Sequence, residues 1–242
     1  MPSPRFYLDQ TLAPGARFSL PPGPARHAAR ALRLAAGDTI TLFDGRGGEY
    51  AARIERIHRD EVAVSVGSFA DVERESPLQI VLAQGISSGE RMDYTLQKAV
   101  ELGIVAIQPI AARRSVVKLA GERIERRVAH WQAVVASACE QCGRNRVPPV
   151  ATPLSLAHWL ASPRAGRLLF LSPTAEARLA DLPAPTATDC LVAGPEGGFE
   201  ADELATLEAV GAIPVRLGPR VLRTETAALA ALAAMQALWG DF

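Results

Sequence analysis

Beyond residue 77 the chain alternates short apolar runs with helix-patterned stretches, and this alternation restricts the fold more than any other feature. The runs LQIVLAQG, VAIQPI, RLLFLS, DCLVAG and IPVRLG read as strands buried on both faces. Between and after them, residues 90–102, 122–141, 201–210 and 224–239 carry a helical pattern. Strands that alternate with helices form a parallel sheet covered by helices on both sides. The fold class expected is α/β.

The first seventy residues are patterned differently. RFYL, RFSL, DTITLFD, EYAARIERIH and EVAVSVGSF are β-type runs divided by turn signals at Pro14-Gly15, Gly37-Asp38 and Asp44-Gly45. One helical stretch, residues 25–34, follows the proline-rich PPGP. A small, mostly-β barrel is therefore expected over residues 1–70. The charged connector ADVERESP leads into a second domain over residues 77–242.

Charge and cysteine content narrow the class of function. With 26 basic and 26 acidic residues the net charge is zero, which excludes a globally polybasic binder of nucleic acid. The distribution is uneven: residues 1–35 hold five Arg against Asp9, a formal +4, whereas residues 189–242 hold eight acids against three Arg, a formal −5. The N-terminal end is thus the better surface for a polyanion. Cys139, Cys142 and Cys190 are too few for a disulfide framework and point to a reducing compartment. The CxxC of Cys139 and Cys142 has no second pair to complete a zinc site, and the four histidines are dispersed, so no metal is expected. The start MPSPRFYLDQ carries no apolar segment of the signal-peptide kind, so a cytoplasmic location is expected. Residues 227–239 are apolar apart from Gln236, a run too short to cross a bilayer. A helix apolar all round is covered by protein on every side, its own domain and a partner subunit together.

Two glycine-rich segments near the C-terminus, GPEGGF and LGPRVLRTETA, each follow a strand-like run and precede a helix-like one. Two such loops at one end of a sheet make a ligand site. Gly194, Gly197 and Gly198 are suited to positive φ and to close backbone approach, and Pro195 stiffens the turn. The spacing matches neither the dinucleotide fingerprint nor a P-loop. Glu196 would repel a phosphate yet could accept from ribose hydroxyls, so a nucleoside without phosphates fits best. In the second loop Leu217, Val221 and Leu222 are apolar, Arg220 and Arg223 cationic, and Thr224, Glu225 and Thr226 suit a helix cap and acidic first turn.

GPEGGF, LGPRVLRTETA and GERMDYTLQKAVELG, together with PRFYL, LFDGRGGEY, RSVVKL and EQCGRNRVP in order, resemble the signatures of the bacterial 16S ribosomal RNA (uracil-N3) methyltransferase family. That family belongs to the SPOUT class, and the resemblance covers nearly the whole chain. It implies an N-terminal PUA-like RNA-binding domain, a C-terminal methyltransferase domain with a trefoil knot, and a homodimer with the site at its interface. The implied cofactor is S-adenosylmethionine, held by three loops: Leu171 and Ser172; Gly194, Pro195, Glu196, Gly197 and Gly198; and Leu217, Gly218, Val221, Leu222, Arg223, Thr226 and Ala227. The implied substrate is 16S ribosomal RNA within the small ribosomal subunit.

Methylation at uracil N3 needs a proton acceptor and a group to stabilise charge spreading over two carbonyl oxygens. A guanidinium never deprotonates and forks two acceptors. Arg223 is the candidate for that role, with Arg5 reaching in from the N-terminal domain of the same or a partner chain, and Glu225 is the candidate acceptor. Arg26, Arg30 and Arg33 recur at helical spacing and, with Arg5, would grip RNA phosphates under the resemblance, although such charge runs usually face solvent. On the stretch 90–102, Arg91 and Lys98 would clamp RNA or pair with Asp93 or Glu101. The family usually carries a lysine where this chain has Ser88, a departure that weakens the clamp at this end. The basic region 113–127 would cover phosphates or support a subunit interface. Two other classes stay open: a non-catalytic RNA-binding factor of ribosome assembly, which needs neither glycine loop, and a nucleotide-dependent metabolic enzyme, which needs no N-terminal Arg stripe.

Overall fold

The structure is a computed structural model that describes residues 3–115, 121–163 and 166–242. The chain forms two compact units, one of Met1–Glu75 with Cys139–Val147, the other of Ser76–Ala138 with Pro148–Phe242.

The first unit is built on a five-stranded sheet in the order β1-β3-β4-β5-β2. β1 (Arg5–Tyr7) runs parallel to β3 (Thr39–Phe43), and the pairs of β3 with β4 (Glu49–His58), β4 with β5 (Glu61–Ala70) and β5 with β2 (Arg17–Ser19) are antiparallel. Val62, Val64 and Val66 alternate inward on β5, facing a core with Phe6, Leu42 and Ile54, as a sheet with one wet face requires. The helix expected at residues 25–34 begins earlier and ends sooner. Pro22 opens α1 (Pro22–Arg26), where a missing N–H costs nothing. The chain then widens into a π-type turn over His27–Ala31, and Arg33 lies beyond it at φ +53. Ala25 and Ala28 dock this element on the sheet.

Residues 139–147 join this first unit, whereas the pattern reading put everything after 77 in the second. Their side chains explain it. Arg144, only 4% exposed, pairs with Glu75; Asn145, fully buried, donates to Val72 O at 2.6 Å and accepts from Arg5 at 2.6 Å. Cys139 is buried here, and burial pushes its thiol up to about 12, so it is an inert packing residue.

The second unit is a parallel sheet in the order β10-β8-β9-β6-β7, as the alternation predicts. Its strands are β6 (Ile80–Gly85), β7 (Ala106–Ile110), β8 (Leu168–Leu171), β9 (Asp189–Ala193) and β10 (Ile213–Val215). Its helices are α2 (Gly89–Glu101), α3 (Glu122–Cys142, whose last residues belong to the first unit), α4 (Leu156–Leu160), α5 (Ala201–Ala209) and α6 (Thr224–Trp239). β9 is buried along its whole length, and Asp189 at its start is paired with Arg167 at 2.6 Å. Among the described residues no helix is long and apolar enough to cross a membrane.

α6 is less fully covered than its composition suggests. Ala228, Ala231, Leu232, Met235 and Gln236 face inward, while Ala237 and Leu238 are exposed and Ala230, Ala233 and Ala234 half-buried. Gln236, the one polar break in the run, donates to Leu102 O at 2.8 Å and accepts from the Ser76 hydroxyl at 2.8 Å. It therefore ties α6 to the end of α2, and Gly103, at φ +83, leaves room for it.

Candidate functional site

β8, β9 and β10 run parallel, and the loops leaving their C-terminal ends wall a cavity of about 350 Å³. Leu171, Ser172, Pro173 and Thr174 come from the first loop, Ala193, Gly194, Pro195, Gly198 and Phe199 from the second. Val215, Leu217, Gly218, Arg220, Val221 and Leu222 come from the third, with Thr224 and Ala227 from the first turn of α6. Cavities of this size outside the carboxyl ends of parallel strands are where such folds bind ligands.

The GPEGGF loop is shaped by close contacts. Gly198 N donates to Pro195 O at 2.9 Å, and Gly198 closes this turn at φ +67. Of the loop's three glycines only Gly198 has positive φ. Gly197 is small for another reason: a Cβ there would lie 2.8 Å from Arg114 Cβ, away from the cavity walls. Gly85, at the end of β6, is glycine because a Cβ would overlap Pro195 N.

Glu196 is engaged within the protein through one oxygen, Oε1, while Oε2 is shielded from solvent with no partner among the described residues. Its Oε1 accepts from the N–H and hydroxyl of Ser88, each at 2.9 Å, and from Arg91 at 3.3 Å. Burial pushes this carboxyl up, but the Ser88 donors and Arg91 outweigh burial and hold it below its ordinary 4.5. Ser88 is thus joined to the loop.

The LGPRVLRTETA loop is free by comparison. Among the described residues the amides of Leu217, Gly218, Arg220, Val221 and Leu222 donate to no backbone carbonyl. Val221 is 81% exposed despite its apolar side chain. Contrary to the cap expected at Thr224, Arg223 holds the N-cap place of α6, with no side-chain capping bond. The Thr224 hydroxyl instead donates to Gly194 O and accepts from Gln84 Nε2 at 3.0 Å, joining the two loops.

Of the expected cofactor residues, Leu171, Ser172, Gly194, Pro195, Gly198, Leu217, Gly218, Val221, Leu222 and Ala227 line the cavity, whereas Glu196, Gly197, Arg223 and Thr226 do not. Pro173 and Thr174 simply continue the Leu171-Ser172 loop, and Phe199 ends the GPEGGF motif. Val215 ends β10 and Leu204 lies on α5, a turn after the loop. Such residues are legible as neighbours of a motif, whereas Gly85 carries no signal before β6 and β9 are known to pair.

The RNA methyltransferase domain family matches residues 74–236, and the RNA methyltransferase PUA domain family matches residues 25–67. The ribosomal RNA small subunit methyltransferase E of Mycobacterium bovis is 35% identical over 239 residues, covering 96% of this chain and 91% of that protein. The chain belongs to this methyltransferase family. The ribosomal RNA small subunit methyltransferase E of Neisseria gonorrhoeae, solved bound to S-adenosyl methionine, is 43% identical with a TM-score of 0.92 over 99% of both chains. A Legionella pneumophila methyltransferase, solved with SAM bound, is 39% identical with a TM-score of 0.97 over 100% of both.

Within this family member the candidate catalytic groups differ in how free they are. Arg223 is exposed and makes no ion pair among the described residues. Glu225 is half-buried, and its Oε2 is shielded from solvent with no partner among the described residues. Arg5 is already engaged inside the first unit: it pairs with Glu49, donates to Asn145 and lies 4.9 Å over the Phe43 ring. Reaching into a site elsewhere would break all three contacts.

The expected RNA-binding side chains are also largely engaged. Arg30 forks Asp60 with two bonds of 2.7 Å, Arg91 pairs with Glu196, and Lys98 pairs with Glu101 at 2.7 Å. Arg26 turns back to Pro22 O, and the switch to a π-type turn takes Arg33 off the helical stripe. In the basic region, Arg113 pairs with Glu200 and Asp202, and Arg126 with Glu122, while Lys118 lies outside the described residues. Among the described residues no cluster of His, Cys, Asp and Glu could hold a metal ion.

Proposed function

We propose that the chain transfers a methyl group from S-adenosylmethionine to N3 of a uridine in 16S ribosomal RNA. The observation that carries this reading is the cavity at the ends of β8, β9 and β10. Its walls fit a nucleoside-like donor: Leu171, Phe199, Leu217 and Leu222 suit an adenine ring, and unengaged amides of the third loop suit its polar edge. When bound, the donor supplies a methyl group activated on a sulfonium.

The chain's own task is orientation and charge. Arg223 sits between Leu222 and Thr224, both cavity-lining, and its free fork would hold the two carbonyl oxygens of a deprotonating uracil. Glu225, with one oxygen unpartnered, would take the N3 proton. Residues 77–242 form the methyltransferase domain in this reading, threaded through a trefoil knot. Residues 1–70 form the RNA-binding domain, where Arg26 and Arg33 are exposed and Arg30 would exchange Asp60 for a phosphate. The enzyme works in the cytoplasm on the small ribosomal subunit. It acts as a homodimer that covers the outer face of α6, with Ala237 and Leu238 exposed along it.

A methylation assay with labelled donor on naked 16S RNA, 30S particles and 70S ribosomes tests this reading, followed by nucleoside identification. The expected product is 3-methyluridine. Label at another position, or none on any substrate, would overturn it.

A further inference from the structure

Gln84 is the last residue but one of β6, after Ile80, Val81, Leu82 and Ala83, and it is fully buried. A primary amide in such a place is costly unless its hydrogen bonds are made. Its Oε1 finds no partner among the described residues, so the reason for the residue lies at Nε2. Nε2 donates to Gly85 O at 3.0 Å and to Thr224 Oγ1 at 3.0 Å. Gly85 O can only accept, which decides the orientation of the amide.

This orientation controls the threonine. A hydroxyl has one proton, and with Gln84 donating to its oxygen the proton is directed to Gly194 O. A one-way chain therefore runs from Gln84 N–H through Thr224 O–H to Gly194 C=O, from β6 to the start of α6 to the end of β9. Bonds in such a chain polarise one another in a dry interior. Gly194 and Thr224 both wall the cavity, and Gln84 does not. Gly85 completes the seat by letting Pro195 approach β6.

We propose that Gln84 is a positioning residue for the methyl donor: it acts through Thr224 to set Gly194 and the third loop at the mutual geometry the donor requires. The proposal rests on the donor occupying this cavity.

The test uses the full chain with Gln84→Met, which keeps length and burial but removes the donor, beside Thr224→Val and the double variant. The affinity for S-adenosylmethionine is read by calorimetry, and kcat and the two KM values by methylation of 16S RNA. Loss of a buried hydrogen-bond chain should raise the donor Kd and donor KM about tenfold, with the RNA KM unchanged. The double variant should bind no worse than the weaker single variant, because both cut one chain. A merely structural role would lower the melting temperature and leave the donor KM alone, which overturns the proposal. So does a double variant whose losses multiply. If Gln84→Met does not fold, Thr224→Val decides, and unchanged donor affinity there overturns the proposal. A wild-type chain that binds no donor fails the reading of the cavity first and takes the proposal with it; the other failures concern Gln84 alone.

Discussion

The two glycine-rich loops look alike in sequence and differ in how they are held. In GPEGGF each residue from Pro195 to Gly198 is committed to the protein: Pro195 rests on Gly85, Glu196 binds Ser88 and Arg91, Gly197 packs on Arg114, and Gly198 closes the turn. In LGPRVLRTETA the amides of Leu217, Gly218, Arg220, Val221 and Leu222 and the side chains of Val221 and Arg223 have no such commitments among the described residues. Both loops wall the cavity, the first held in place by the protein around it and the second with its amides left open. Mutations in the first should register in stability, mutations in the second in activity.

The largest effect should come from Arg223→Lys. The charge remains and the planar fork is lost, so single-turnover methylation of saturating RNA should slow by about 100-fold, as for loss of one charge-stabilising donor, with the melting temperature unchanged. A wild-type rate would move the chemistry elsewhere. Next is Gly197→Val, whose side chain meets Arg114. Overpacking of this kind should cost about 1–3 kcal/mol in denaturant unfolding. Unchanged stability would show that the loop is not built as described.

Glu196→Gln should cost about 1 kcal/mol at neutral pH, the worth of a charge-assisted bond to Ser88 and Arg91. The carboxyl is held below 4.5 when folded. Its contribution is therefore present above about pH 4.5 and is lost as pH falls through the lower folded value. Wild type and variant should differ in melting temperature at pH 7 and converge in acid; a gap that persists at low pH would contradict the pairing. The smallest effect is expected for Val221→Ser, at a position 81% exposed, where stability should stay within about 0.5 kcal/mol. A larger loss in thermal unfolding would mean that the second loop is also held in place by the protein around it.

The α/β alternation was legible because burial on both faces leaves uninterrupted apolar runs such as DCLVAG, and β9 is indeed buried throughout. The ligand loops were legible because glycine and proline mark turns locally. The end of the N-terminal helix was not, since a π-type turn at His27–Ala31 replaces the regular spacing on which an Arg stripe depends. Likewise the apolar run 227–239 does not show which of its residues face a partner: Ala231 and Met235 are fully buried within their own unit. An all-apolar helix shows that it must be covered, not which face its own domain covers.

By itself, then, the sequence determined the alternating strands, the longer helices, their order and the two loops at the strand ends, though not the single-turn α4, because periodicity and turn chemistry act over a few neighbouring residues. The tertiary structure alone decided which charged and polar groups are engaged. Glu196 meets Ser88 across 108 positions, Arg5 meets Asn145 across 140, and Gln84 meets Thr224 across 140. Hydrogen bonds and ion pairs of this reach depend on angles and distances of an ångström or so, set by the packing of sheets and helices. No local pattern carries that information, and so the arginines Arg5, Arg30 and Arg91, equally basic as letters, proved to be engaged while Arg223 makes no ion pair among the described residues.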